Sequence, residues 1–226
     1  MQILKFIFDF IAPKKCYSCK KHKFLCEDCL KIFYDFEEIC YVCKNFSKNF
    51  EVHESCKKEN TVFYDKILVL KHYKNKTIQK LIKDKFYKRE ILEEFYYLYE
   101  KFIRNEKIRK LDDFLVISIP SYFLRKWKRY NSSEVLAKSF AKFSKINYKK
   151  NILKKIKQTK QQSKLTRNQR LVNLKDSFKI NKKYLDQIKN KKIIIVDDVI
   201  STTTINEVSK ILKESASKII LIIASD

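Results

Sequence analysis

The sequence predicts an α/β protein: a mostly parallel sheet flanked by helices, with a small cysteine-rich zinc-finger module at its N-terminal side. Three observations carry this. The run Ile193-Ile194-Ile195-Val196 is too short for a helix and has no polar alternation, which reads as a strand buried on both faces, the usual state in a parallel sheet. Two further runs, Leu115-Val116-Ile117-Ser118-Ile119-Pro120 and Ile219-Ile220-Leu221-Ile222-Ile223, have the same character. All seven cysteines lie between Cys16 and Cys56. A division into residues 1–60, the metal module, and 61–226, the sheet domain, follows from that confinement.

At 226 residues the chain holds one full α/β domain plus a small module. It has no apolar run of membrane-spanning length, so a soluble, cytoplasmic protein is expected. Met1 to Ile11 is apolar but carries Lys5 and Asp9, and Pro13 with a cysteine pair follows where a small-residue cleavage site would stand. It reads as an amphipathic lead-in, not a signal peptide. The formal net charge is +25, from 51 Lys+Arg against 26 Asp+Glu. That excess suits polyanions and phosphorylated substrates. An AT-rich coding sequence would enrich Lys, Asn, Ile, Phe and Tyr in the same way, so charge alone names no partner.

Cys16-x2-Cys19-x6-Cys26-x2-Cys29 sets two close-spaced thiol pairs around one short loop, and four thiolates from two such turns suit tetrahedral Zn²⁺. Cys40-x2-Cys43 repeats the spacing, and His53-x2-Cys56 completes a second set with imidazole in place of one thiolate. Spacing leaves open a different pairing, in which one zinc bridges the first and third cysteine pairs. Disulfides are disfavoured because they belong to secreted chains. The zinc role is structural, since a module this small has little core of its own. Lys20 and Lys44 stand where such knuckles usually carry glycine, which predicts a strained turn.

Between the module and the second strand, Val62-Phe63-Tyr64 and Ile67-Leu68-Val69-Leu70 suggest strands. Ile78, Leu81 and Ile82, then Ile91, Leu92, Phe95 and Leu98, follow helical spacing. After the strand at 115–120 a basic segment, Leu124 to Asn131, feeds a helix carrying Val135, Leu136, Ala137 and Phe140. Strand, basic loop, helix is a geometry that can neutralise a phosphorylated group, and a helix end studded with solvated lysines has the same look. The stretch from Gln158 to Phe178 is polar and basic without strong periodicity, and reads either as a flexible loop over a site or as a plain surface excursion.

The strand at 193–199 runs into Asp197-Asp198, then Ser201-Thr202-Thr203-Thr204, then a helical run through Ile205, Val208, Ile211 and Leu212. Acids and hydroxyls therefore sit in the crevice at the strand's carboxyl end, where a helix N-terminus offers free N–H groups to a phosphate. An acid pair at a strand end also holds metal in other sheet proteins.

This stretch resembles the phosphoribosyl-diphosphate (PRPP) loop of the type I phosphoribosyltransferases, a hydrophobic strand followed by Asp-Asp and a hydroxyl-rich loop. The resemblance implies that Asp197 and Asp198 hold the ribose hydroxyls, directly or through Mg²⁺, and that Ser201, Thr202, Thr203 and Thr204 wrap the 5′-phosphate. The whole chain resembles the ComF-type competence proteins, which join a zinc module to a phosphoribosyltransferase-like domain. The matching residues are Pro120, Arg125, Arg129, Tyr130, Asn131, Leu136 and Ala137, then Thr159, Gln162, Arg170, Asn173 and Phe178, and lastly the PRPP-type loop. Arg125 and Arg129 would then stabilise pyrophosphate. Lys85 and Phe86 fall where the family carries a Lys-aromatic pair. Family membership implies a part in DNA uptake during natural transformation. Two classes follow: a PRPP-binding transferase-type protein, or a non-catalytic protein contacting single-stranded DNA and other competence proteins, with Tyr and Phe stacking on bases. Nothing in the chain marks the acceptor substrate.

The chain departs from the family in one systematic way. It contains no glycine, where average usage of roughly 7% would give about sixteen. Glycine is missing before Thr203-Thr204, between Arg129 and Tyr130, and between Ser215 and Ala216, and in each case the flanks match if one residue is absent. We read the sequence as ComF-type with its glycines deleted, a hypothesis that ordinary residues at those junctions in the intact gene would refute. Glycine gives positive φ and close backbone approach to phosphate, so a loop lacking it must find other means.

Overall fold

The computed structural model describes residues 16, 19, 38–71, 113–120, 131–159, 165–199 and 201–225. In chain order the elements are α1 (Glu54–Asn60), β1 (Lys66–Lys71), β2 (Phe114–Ser118), α2 (Ser132–Ser144), β3 (Leu153–Lys155), α3 (Arg167–Leu174) and β4 (Phe178–Ile180). After them come α4 (Leu185–Ile188), β5 (Lys192–Val199), α5 (Thr202–Lys213) and β6 (Lys218–Ser225).

Four strands form one parallel sheet in the order β1-β6-β5-β2. The acid-bearing strand β5 is thus interior, with Ile193 opposite Leu115 on one side and Ile219 on the other. Ile193 through Val196 are all buried, and each such side chain contributes roughly 1.5–3 kcal/mol. Side chains alternate along a strand, so the two faces have different covers. Ile193 and Ile195 pack in one core with Ile205, Val208 and Leu212 of α5, with Leu153 and Phe178 of the β3–β4 pair, and with Cys40, Val52 and Cys56. Ile194 and Val196 are buried on the opposite face, where α2 lies along β5 and β2 with Leu136, Ala137 and Phe140 fully buried.

Among the described residues, each edge of the sheet makes a local pairing. Glu51 bridges Lys66 and the Val52 N–H donates to the Asp65 carbonyl at 2.9 Å, which pairs the start of β1. At the other edge the Val116 N–H donates to the Asn147 carbonyl and the Lys149 N–H to the Val116 carbonyl, both at 2.9 Å. An unpaired edge would be open to pairing with other chains.

The expected strands at 67–70, 115–120 and 219–223 correspond to β1, β2 and β6, with β2 ending at Ser118. Val62-Phe63-Tyr64 is not a strand. The Phe63 N–H donates to Asn206 Oδ1 at 3.3 Å and Tyr64 is buried, so this segment is held by α5 and the core instead of by a neighbouring strand. The stretch after Gln158, expected as a flexible loop, contains α3 and β4. Thr166 and Gln169 form a capping box, the Gln169 N–H donating to Thr166 Oγ1 and the Thr166 N–H to Gln169 Oε1. The helical runs between Ile78 and Leu98, and Lys85 and Phe86, lie outside the described residues.

Several described residues occupy the left-handed region that glycine would normally fill, among them Lys44 (φ 64°), Thr61 (φ 51°) and Lys145 (φ 58°). Thr61 closes α1 and Lys145 closes α2. A helix commonly ends this way, and glycine is the residue that does so without a Cβ clash.

Candidate metal centre and acid pair

Cys40 and Cys43 sit on a tight turn whose arms meet in a bridge between Ile39 and Phe46. The Lys44 N–H returns to the Cys40 carbonyl at 2.8 Å, which requires the left-handed Lys44 backbone expected from the missing glycine. His53 stands at the N-cap of α1 and Cys56 in its first turn, three residues apart and so on one helix face. The ligand atoms of Cys40, Cys43, His53 and Cys56 all lie within 4.8 Å of one another. Zinc bonds of about 2.3 Å place tetrahedral sulfur ligands about 3.7 Å apart, so the set needs to close by only about an ångström.

The histidine is already oriented for this. His53 Nε2 is 3.1 Å from the Phe46 carbonyl oxygen and, as the donor there, carries the proton. Nδ1 is then the lone-pair nitrogen, and it lies 3.4 Å from Cys43 Sγ. Fixing the ring through its second nitrogen is how metal-binding histidines are held. Burial would raise the Cys40 thiol, but the backbone N–H groups of Cys43, His53 and Val42 outweigh it and bring its pKa below the usual value. Cys56 is pushed up to about 11, first by burial and then by the neighbouring Cys43 and Cys40. A cation among these sulfurs would reverse that repulsion, and a Cys₃His donor set suits structural Zn²⁺. Of the first predicted set, Cys16 is buried and Cys19 exposed. Cys26 and Cys29 lie outside the described residues.

The cysteine-bearing segment is tied to the sheet at named points. Asp65 accepts from the Ile219 N–H at 2.8 Å, from Lys57 Nζ of α1 at 3.1 Å and from Lys213 Nζ of α5 at 3.3 Å. Burial alone would raise this carboxyl; the Ile219 N–H and the two lysines hold it below its ordinary value. Asn206 of α5 accepts from the Phe63 N–H and donates to the Thr61 carbonyl at 2.9 Å.

At the carboxyl end of β5, Asp197 is buried and Asp198 half-buried. The Asp198 N–H donates to Asp197 Oδ1 at 2.9 Å and the Val199 N–H to Asp198 Oδ1 at 2.7 Å. Ser201 is the N-cap of α5. Thr202 is exposed, Thr203 and Thr204 are buried, and Thr204 Oγ1 donates to Ser201 Oγ at 3.2 Å. The first N–H groups of a helix have no intrahelical partners, so this turn presents donors beside the acids. The head of α2 reaches the same place: Ser132 Oγ donates to Asp198 Oδ2 at 2.6 Å, and Ser133 Oγ donates to Asp197 Oδ1. The two serines were not anticipated. Their signal was the hydroxyl pair opening the helix that follows the second buried strand, and it became readable only once β2 was known to lie beside β5. Arg125, Arg129, Tyr130 and Gln162 lie outside the described residues.

Competence protein F of Haemophilus influenzae is 28% identical to this chain over 197 residues, which span 84% of each sequence. The chain is similar to competence protein F. The ComF-type likeness therefore runs through both the cysteine module and the sheet domain. A solved structure described as the allosteric regulatory enzyme of purine biosynthesis is similar over 59% of the ComF-like chain, at 16% identity and a TM-score of 0.37, and the chain spans 26% of that enzyme. No protein-family model matches. Among the described residues, no helix is long and apolar enough to cross a membrane.

Proposed function

We propose that the chain binds PRPP or a related sugar phosphate at the carboxyl end of β5, and that it serves the handling of incoming DNA in natural transformation. The observation that carries the reading is an interior parallel strand ending in two adjacent carboxylates beside the N-terminus of a hydroxyl-rich helix. Such a crevice is where open α/β sheets bind ligands. Asp197 and Asp198 would accept the ribose hydroxyl protons, and the first turn of α5, with Ser201 to Thr204, would take the 5′-phosphate. Two carboxylates repel a phosphorylated ligand unless a cation joins them; their oxygens suit Mg²⁺, which would neutralise the diphosphate. Displacement at the anomeric carbon needs stabilisation of an oxocarbenium-like centre and of departing pyrophosphate, the part assigned to Arg125 and Arg129, and no nucleophilic side chain. The relationship to competence protein F supports the link to DNA uptake.

PRPP with Mg²⁺ should raise the melting temperature, and Asp197→Asn or Asp198→Asn should abolish the rise. No shift at saturating ligand would end this reading.

A second reading rests on charge. With a net +25 and Phe46 73% exposed at the base of the cysteine turn, the protein has the basic and aromatic elements of a single-strand binder. Affinity for single-stranded DNA should then fall steeply with salt. A flat response would remove it.

A further inference from the structure

We propose that Ser132 and Ser133 are positioning residues for the acid pair, a role that rests on the sugar-phosphate reading above. Each hydroxyl donates to a different carboxylate, Ser132 to Asp198 and Ser133 to Asp197, so adjacent residues on one helix grip adjacent residues on one strand. Both serines are buried.

Their anchor is rigid. Asn131, just before them, donates from Nδ2 to the Ile119 carbonyl at 3.0 Å, and the next turn of α2 carries the fully buried Leu136 and Ala137. The head of α2 cannot swing without disturbing that core. Further contacts come from β5 itself, through the Asp198 and Val199 N–H groups. Each carboxylate is thus held between its own strand and the neighbouring helix, which fixes its χ angles.

The donor type matters as much as its place. A hydroxyl orients a carboxylate through a charge-assisted hydrogen bond without cancelling its charge. A lysine, abundant in this chain, would orient it by neutralising it. The serines thus preset the geometry in which the acids meet a ligand.

The test uses the full chain with ¹³C-carboxyl-labelled aspartate, in Ser132→Ala, Ser133→Ala and the matching threonine variants. NMR at one fixed pH should show the Asp198 carboxyl resonance displaced in Ser132→Ala and that of Asp197 in Ser133→Ala, each restored by threonine. Titration calorimetry with PRPP and Mg²⁺ should show the dissociation constant weakened about tenfold in each alanine variant, the size expected for losing a hydrogen bond to a charged group. A purely structural serine would lower the melting temperature and leave both resonances in place, which would overturn the proposal. Tighter PRPP binding would also overturn it, since the serines would then be occupying the diol's place. If the unaltered chain bound no PRPP, the proposed function would fail, while the carboxyl resonances would still decide whether the serines set the acid pair.

Discussion

Replacing Thr61 by glycine should stabilise the protein. Thr61 ends α1 at φ 51° and ψ 54°, with its side chain exposed. An L-residue in this region carries about 1–2 kcal/mol of strain from the clash of Cβ with the following carbonyl oxygen. Glycine removes the clash but brings about 0.5–1 kcal/mol of extra chain entropy to lose. The net gain is about 0.5–1 kcal/mol. Both native bonds at this residue use its backbone, the N–H to the Lys57 carbonyl and the carbonyl to Asn206 Nδ2, so both survive. For a chain of this size 1 kcal/mol moves the melting temperature by about 2–4 °C, so calorimetry on zinc-loaded protein should show a rise of about 1–4 °C. Thr61→Ala is the control, because it keeps Cβ and hence the strain. A glycine variant melting no higher than the alanine variant would refute the reasoning.

Asp65→Ala should cost about 2 kcal/mol, because it leaves the Ile219 N–H and two lysines without their common acceptor; denaturant titration would read this as a lowered midpoint at unchanged slope. The folded-state pKa of Asp65 is depressed, so its contribution is fully present above the ordinary value of 3.8 and is lost as pH falls through the lower folded value. Asp65→Asn should flatten that acid limb, and an unchanged limb would show that the carboxyl is not responsible. Cys56→Ser should reduce bound zinc by one equivalent by mass spectrometry and lower stability; full retention of metal would place the ion elsewhere. Phe140→Ala, fully buried between α2 and the sheet, should cost about 3–5 kcal/mol in chemical denaturation.

What the sequence disclosed follows from how each signal is encoded. Strands β2, β5 and β6 announce themselves because both faces are buried, and Ile193 to Val196 needs no partner to be recognised. The gathering of Cys40, Cys43, His53 and Cys56 was readable because their spacing is local. β3 and β4 were missed, being three residues each and defined by each other. α3 was missed because its sequence is polar and it leaves Leu171 and Val172 exposed, although the Thr166 and Gln169 cap was there to be read. The contacts of Ser132 and Ser133 join residues 66 and 64 positions apart, and only strand order brings them together. The ties of Asp65 and Asn206 are of the same non-local kind.

The sheet order has a consequence for biogenesis. β6 follows every other described strand in the chain, yet it lies inside the sheet and joins β1 to β5. During translation β1 emerges well before β6 and waits, unpaired on that side, until residues 218–225 have been made. The cysteine module, packed against the same core, waits with it. Late closure of so distant a pairing favours slow folding and a long exposure of apolar strands. Metal captured early by Cys40, Cys43, His53 and Cys56 would fold one flank of the nascent chain and shield it during that interval.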